Sequence, residues 1–157
     1  MQIPKLAAAA HRDYLFSLLG TLHADTRPLW GNMRAQQMIE HMIDQVQYTN
    51  GTQIPTCDFP PEEAAQKKAQ MLAEDTGIPK NVKLGELPEK HLLPDLDTAI
   101  AQLMRELDAF DAFLAPPGST VIHGAYGPMD HAEWVIWHSR HLRHHLKQFG
   151  ALPPEAM

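Results

Sequence analysis

Helical periodicity is the feature that most constrains the fold of this chain. Four long segments repeat apolar residues every three or four positions, which places those residues on one face of an α-helix. No segment shows the apolar–polar alternation that is typical of a half-buried strand. A length of 157 residues suits one domain. The sequence therefore predicts an all-α fold without a sheet, in a single domain over residues 1–157.

Capping and helix-breaking residues set the bounds of the first two predicted helices. The first runs from about Lys5 to Ala24. The second follows "PLWGN", where Asn32 is the predicted N-cap, and it ends at Asn50-Gly51. These bounds give two antiparallel neighbours joined by a moderate loop.

The other predicted helices also have clear end signals. The third covers "PDLDTAIAQLMRELDAFDAFLAPP" and ends before Pro116 and Pro117. The fourth begins after Asp130, with Glu133 at the reciprocal position of a capping box, and it ends at Gly150. A weaker helix, "PPEEAAQKKAQMLAED", lies between the second and third. The chain thus has four main helices and one minor helix.

Connection lengths indicate how the four main helices are arranged. The connection between the second and third, from Gly51 to Pro94, is long enough to run the length of a bundle. Helices two and three can therefore be parallel. The sequence predicts a four-helix bundle with up-down-down-up topology and a long crossover between helices 2 and 3.

Composition excludes several classes of protein. The net charge is −6 and the basic residues are scattered, so there is no basic surface for nucleic acid. Cys57 is the single cysteine, which suits a reducing compartment. The N-terminal segment lacks the features of a signal peptide, and no apolar run approaches the roughly 20 residues of a membrane helix. We expect a cytoplasmic protein that binds neither nucleic acid nor membrane.

The fourth helix carries four histidines in "HSRHLRHHLKQFG". On a helical wheel His138, His141 and His145 adjoin the apolar stripe, whereas the nearby basic residues face solvent. His141 and His145 are four residues apart, so one helix face can offer two nitrogen ligands to one ion. His144 points elsewhere. A third ligand must come from another helix, and His138 is a further ligand, a hydrogen-bond donor behind the ligands, or a pocket wall. Core-edge histidines that bind only their neighbours remain the alternative.

The second helix offers one histidine, His41. It shares its face with Gln37, Gln45 and Tyr48, and Asp44 lies near. Periodicity alone predicts that this face is exposed, because it lies far from the apolar stripe. Alternatively, the face lines a water-filled polar cleft at the mouth of the bundle. The pattern leaves both interpretations open.

Several motifs carry a resemblance to a known family. The segments "MRAQQMIEHM", "PLWGNM", "HGAYGPMDHAEWVIWH" and "HLRHHLKQFG" resemble the DinB-like superfamily of YfiT-like metalloenzymes, in the branch with the "HHLxQFG" ending. The resemblance implies a four-helix bundle, a homodimer and a three-histidine metal site. Residue by residue it assigns the metal ligands to His41, His141 and His145. His138 is extra to the pattern and leaves a closed four-histidine site open.

The resemblance also implies a chemistry. Three neutral histidines around an open position are typical of catalytic Zn²⁺, the default metal, although imidazole also suits Ni²⁺, Fe²⁺ and copper. The metal would activate water or a thiolate. We expect a hydrolase or a thiol S-transferase acting on a small-molecule substrate, with a low-molecular-weight thiol as one candidate. The alternatives are a non-catalytic metal-binding or stress-response bundle and a bundle whose histidines bind nothing.

Other polar and aromatic residues have candidate roles. Asp44, His138 and His123 are the catalytic candidates, with His123 on the loop before the fourth helix. Gln37 or Glu133 could orient a ligand, but capping explains Glu133 more simply. Trp134 and Trp137 are pocket walls or core residues. The remaining histidines are predicted to lie at the surface: His11, His23, His91 and His131.

Overall fold

The computed structural model describes residues 5–75, 77–79 and 88–155. Within these residues the chain forms five α-helices and one two-stranded sheet. The protein is mainly helical, which is compatible with the predicted all-α class. The helices are α1 (Arg12–Leu19), α2 (Ala35–Gln47), α3 (Pro61–Ala73), α4 (Leu96–Phe113) and α5 (His131–Gln148), and the strands are β1 (Val121–His123) and β2 (Gly127–Met129).

Helices α4 and α5 both begin at acidic caps, and the cap of α5, Asp130, is the one that the sequence predicts. The Asp95 side chain accepts a hydrogen bond from the Thr98 backbone N–H at 2.7 Å. At α5, Asp130 accepts from the Glu133 N–H at 2.9 Å, and the Glu133 side chain accepts from the Asp130 N–H at 3.0 Å. This capping box fixes the first turn of the histidine-bearing helix. The helix ends at Gln148, two residues before Gly150, whose φ is 73°.

Helices α1 and α2 begin later than predicted. Residues 5–11 form separate turns, with backbone bonds such as Ala8 N–H to the Lys5 carbonyl, so α1 starts only at Arg12. The N-cap of α2 is Arg34 rather than Asn32. The preceding segment is tied to α5, because the Leu29 N–H donates to the Gln148 carbonyl at 2.6 Å. This tie delays the start of the helix.

A small antiparallel sheet contradicts the prediction of no sheet. Strand β1 pairs with β2, and Val121 lies opposite Met129. The connecting turn is closed by the Ala125 N–H, which donates to His123 Nδ1 at 3.0 Å, and Gly127 has a φ of 70°. Three-residue strands are too short to show alternation over the four to eight residues that sequence patterns need. Sequence periodicity therefore could not predict the hairpin.

Hydrogen bonds between α2 and α4 show that these helices run in the same direction. Near the start of both, the Gln36 side chain donates to the Leu93 carbonyl at 2.8 Å. Further along both, the Gln47 side chain donates to the Glu106 carboxylate at 2.8 Å. The order of contacts is the same in the two helices, so they are parallel.

Helix α5 packs against α2 in the opposite direction. His138 near the middle of α5 contacts Thr49 just after α2, whereas the later His141 contacts the earlier His41. The helices share one apolar core, and none of the described helices is long and apolar enough to cross a membrane. Large side chains that are almost fully buried include Met38, Ile39, Met42, Leu103, Leu107, Phe110, Leu142 and Leu146.

Candidate metal centre

Helices α2 and α5 bring three histidines to one point. His141 Nε2 lies 3.0 Å from His145 Nε2 and 3.2 Å from His41 Nε2. One ligand atom from each of the three histidines lies within 4.8 Å of the other two. The spacing of four residues places two of these rings one turn apart on α5, and α2 supplies the third from across the interface. The histidines that the resemblance assigns as ligands therefore form one cluster.

The spacing of these nitrogens suits a small divalent cation. Two nitrogens bound tetrahedrally to zinc at about 2.0–2.1 Å lie about 3.3 Å apart. The observed separations of 3.0 and 3.2 Å around His141 are close to that value. Imidazole nitrogen is also a ligand for nickel, iron and copper. The residues present therefore fit a metal ion of this class.

The three histidines differ in their exposure to solvent. His141 and His145 are 2% and 7% exposed, and His41 is half-buried rather than exposed as periodicity predicts. Its ring packs edge-on against both α5 rings, with centroids 5.0 Å from His141 and 5.2 Å from His145. The α2 side of the cluster is therefore its more accessible side.

The cluster is built to keep its imidazoles neutral. Burial lowers the pKa of His145 to about 3, although its hydrogen bond to Gln148 opposes the shift. Burial and the neighbouring histidines hold the pKa of His141 well below its usual value. Burial also lowers the pKa of His41, which the nearby Asp44 charge partly offsets. Metal ligation requires the neutral form of histidine, so this electrostatic environment favours ligation.

Gln148 completes the surroundings of His145. Its Oε1 lies 2.8 Å from His145 Nδ1, and its Nε2 donates to the Trp30 carbonyl at 3.0 Å. Sequence reasoning assigned no role to this residue. The available signal was its position three residues after His145, which places both on one side of α5.

His138 does not belong to the cluster. Its Nε2 lies 3.1 Å from Thr49 Oγ1, and that hydroxyl donates its own proton to the Val46 carbonyl at 2.7 Å. His138 Nε2 must therefore be the donor to Thr49, and the ring ties α5 to the end of α2. Burial lowers the pKa of His138 to about 3. The cluster holds three histidines rather than the four of a closed site.

The other two catalytic candidates also lie outside the cluster. Asp44 is exposed, and its carboxylate accepts hydrogen bonds from Gln53 at 2.8 Å and Gln45 at 3.3 Å. His123 lies on β1, where its ring stacks on Tyr126 with centroids 4.3 Å apart. Burial lowers the pKa of His123 to about 4. Neither side chain shares the group of close ligand atoms.

Glu133 and Trp134 have structural contacts. The Glu133 carboxylate caps α5 and pairs with Lys68 at 3.0 Å, as the simpler interpretation of this residue predicts. Trp134 is 3% exposed, and its Nε1 donates to the Val121 carbonyl at 3.0 Å. This indole fixes the hairpin to α5 and belongs to the core.

Two of the four histidines predicted to lie at the surface are exposed, namely His23 and His91. His11 and His131 are half-buried instead. His131 Nε2 lies 2.8 Å from an Asp111 carboxylate oxygen, and its ring stacks on a core aromatic residue of α4. The contact between α4 and α5 therefore explains the partial burial of His131. The sequence pattern did not show that α4 covers the start of α5.

A cavity of about 390 Å³ lies between α3, α5 and the hairpin connection. Trp137 lines this cavity, and its ring also packs against His141 with centroids 5.0 Å apart. One aromatic side chain thus contacts both the cavity and the histidine cluster. This cavity is not the cleft that the sequence predicts, whose walls are Gln37, Gln45 and Tyr48.

The fold and the cluster define a mainly helical protein with a candidate three-histidine centre between two helices. A family model described as "Protein of unknown function (DUF1569)" matches residues 58–151, more than half of the chain. The chain belongs to this family, a member of the DinB/YfiT-like superfamily. The match includes His141 and His145, and His41 lies before it. No curated protein and no solved structure matches the chain.

Proposed function

We propose that the protein is a divalent-metal-dependent enzyme of the DinB-like type, with His41, His141 and His145 as the metal ligands. The observation that carries this proposal is the convergence of three Nε2 atoms from two helices. Zinc is the default ion for this donor set, and Ni²⁺ and Fe²⁺ are the alternatives.

A three-histidine metal with an open position lowers the pKa of a bound water toward about 7 or holds a thiolate. The protein's contribution is to keep buried imidazoles neutral and to leave the half-buried His41 side for the substrate. We propose hydrolysis or thiol S-transfer on a small-molecule substrate, with a low-molecular-weight thiol as the candidate cosubstrate. Among the catalytic candidates Asp44 is the carboxylate; it is exposed and lies three residues after His41 on α2.

We also propose the up-down-down-up four-helix bundle and the branch with the "HHLxQFG" ending. In this arrangement α1, α2, α4 and α5 are the four helices, and α3 belongs to the crossover. The parallel contacts of α2 with α4 and the antiparallel contacts of α2 with α5 support this topology.

The assembly and compartment of the protein are part of the same proposal. The superfamily resemblance supports a homodimer, and the composition supports a cytoplasmic protein that binds no nucleic acid and no membrane. Light scattering on the purified protein should give the mass of two chains. A monomer at all accessible concentrations would contradict the dimer.

A further alternative is a cluster without metal, in which the histidines are hydrogen-bonded only to one another. His141 Nε2 is within hydrogen-bond distance of both other Nε2 atoms. A two-centre hydrogen bond from one imidazole N–H joins only two of the nitrogens and leaves the third without such a bond. A cation contacts all three at once, which favours the metal.

Elemental analysis of untagged protein tests the metal proposal. We expect a stoichiometric transition metal that a chelator removes and added zinc restores; protein that never takes up metal would contradict the proposal. A screen of ester, amide and thiol-conjugation substrates then separates an enzyme from a non-catalytic metal-binding or stress-response bundle. Turnover that depends on the metal supports the enzyme, and metal without turnover supports the bundle.

A further inference from the structure

We infer that Gln148 is a positioning residue that fixes the tautomer of His145, and that residues 29–31 hold Gln148 in place. The inference rests on the proposed metal centre for its functional meaning. Its geometric basis is a continuous chain of hydrogen bonds from a backbone carbonyl to the ligand ring.

The direction of each hydrogen bond in this chain follows from chemistry. The Trp30 carbonyl can only accept, so the amide nitrogen of Gln148 must face it, at 3.0 Å. The amide oxygen then faces His145 Nδ1 at 2.8 Å. That oxygen can only accept, so Nδ1 must carry the proton. A neutral imidazole has one N–H, and therefore His145 Nε2 presents its lone pair to the cluster.

The segment before α2 is shaped to hold this glutamine. The Leu29 N–H donates to the Gln148 backbone carbonyl at 2.6 Å, next to the side-chain bond to Trp30. Gly31 has a φ of 78°, and a Cβ added there would lie 3.2 Å from Gln148 Nε2. A glycine satisfies both the backbone conformation and the close approach. The "LWG" segment thus holds the last residue of α5, Gln148, in position.

His145 differs in this respect from the neighbouring ligand on α5. Among the described residues, His141 Nδ1 is buried without a hydrogen-bond partner. Of the two α5 ligands, only His145 has a partner that fixes its proton. Metal-bound histidines commonly depend on such an acceptor for their orientation. A neutral amide provides it without adding a negative charge beside the ion.

Two variants and a control test the inference. Gln148→Leu removes both side-chain hydrogen bonds with a side chain of similar size. Gly31→Ala keeps the glutamine but pushes its side-chain amide away, because the added Cβ would lie 3.2 Å from Gln148 Nε2. Gln66→Leu is the matched control, because Gln66 is exposed on α3. Circular dichroism and thermal unfolding check that each variant folds.

Two readouts are needed. Imidazole ¹⁵N–¹H NMR spectra of the metal-free protein report which nitrogen of His145 carries the proton. Zinc competition against a chelator reports affinity. We expect Nδ1–H in the wild type, loss of this uniform tautomer in Gln148→Leu, and about 10–100-fold weaker zinc binding. Gly31→Ala should change both readouts in the same direction by less, and Gln66→Leu should match the wild type.

Each outcome decides the matter. A wild-type His145 with its proton on Nε2 overturns the inference, whatever the variants do. So does a folded Gln148→Leu protein with the wild-type tautomer and zinc affinity. If Gln148→Leu fails to fold, Gly31→Ala and the wild-type spectrum still decide. If the wild type binds none of zinc, nickel and iron, the proposed function fails, whereas the metal-free spectra still decide whether Gln148 fixes the tautomer.

Discussion

Hydrogen bonds assign different tasks to the histidines on the buried side of α5. His138 gives its Nε2 proton to Thr49 and joins two helices. His145 is held through Nδ1 by Gln148, so its Nε2 is directed at His141. The density of histidines in this helix therefore overstates the number of ligands. The partner of each ring nitrogen decides whether the residue is structural or a candidate ligand.

Acid should destabilise the metal-free protein partly through His123. Burial lowers its pKa from 6.5 to about 4, so between these values the unfolded chain binds more protons than the folded one. The contribution of this group is complete above pH 6.5 and is lost as the pH falls toward 4. Between these pH values the free energy of unfolding falls by up to about 1.4 kcal/mol per pH unit because of this group.

The variant His123→Asn isolates this contribution. An asparagine oxygen can accept the Ala125 N–H that His123 Nδ1 accepts, but it binds no proton in this range. Urea unfolding at several pH values should give a shallower loss of stability than in the wild type, by the equivalent of about one proton. Equal slopes for the two proteins would show that His123 does not contribute.

Sequence reasoning reached the three ligand candidates but not their partners. The spacing of His141 and His145 predicts a shared face, and the resemblance supplies His41. The contacts of His145 with Gln148, and of Gln148 with Trp30, depend on how the loop before α2 meets the end of α5. The spacing of three residues places His145 and Gln148 on one side of α5, but no local pattern shows the contact with Trp30, which is 118 residues from Gln148.

Helices α2 and α4 are joined by a buried carboxylate. Glu106 on α4 is 7% exposed. Its oxygens accept hydrogen bonds from Gln47 and Gln102 at 2.8 Å and from Asn50 at 2.9 Å. A buried charge is costly unless it is hydrogen-bonded, so these amides stabilise one register of the two helices. That register also fixes the rotation of α2, and with it the direction of His41.

Removing one of these amides should destabilise the protein. Asn50→Ala loses the bonds to the Glu106 carboxylate at 2.9 Å and to the Glu106 carbonyl at 3.2 Å. We expect a loss of about 1–3 kcal/mol in the free energy of unfolding, measured in urea. Asn32→Ala is the matched control, since Asn32 is exposed and does not cap α2, and should cost at most about 0.5 kcal/mol. Equal losses would contradict both assignments.

The helices could be predicted to different extents for physical reasons. Helices α4 and α5 were predicted from their apolar stripes, and α5 also from its capping box. The start of α2 is set by contacts with α5, and the first predicted helix is shortened to α1 by turns that break its ladder. The hairpin is too short to produce a pattern. A tertiary contact with α5 therefore explains the error at the start of α2, and local turns explain the error at the start of α1.

Across the whole molecule, the cluster joins elements that are distant in sequence. His41 and His141 are 100 residues apart, and their rings meet at the interface of α2 and α5. A cation held by both helices would favour the folded state, because the unfolded chain does not keep the ligands together. Metal binding should therefore be linked to global stability.

Zinc should raise the thermal unfolding midpoint of metal-free protein. Free metal at about one hundred times its Kd contributes about 2.7 kcal/mol if it binds only the folded state. Calorimetry with and without zinc measures the shift, and His41→Ala should remove most of it. A shift of equal size in His41→Ala would show that zinc acts at another site.

The metal content of two neighbouring variants tests the central claim most directly. His145→Ala removes a ring whose Nε2 belongs to the cluster, whereas His144→Ala removes a ring that packs beside Trp30. Both proteins should keep their helices by circular dichroism, because the apolar core carries the fold. Elemental analysis should find the metal lost from His145→Ala and retained by His144→Ala. Equal metal in both, or a greater loss from His144→Ala, would contradict the three-histidine centre.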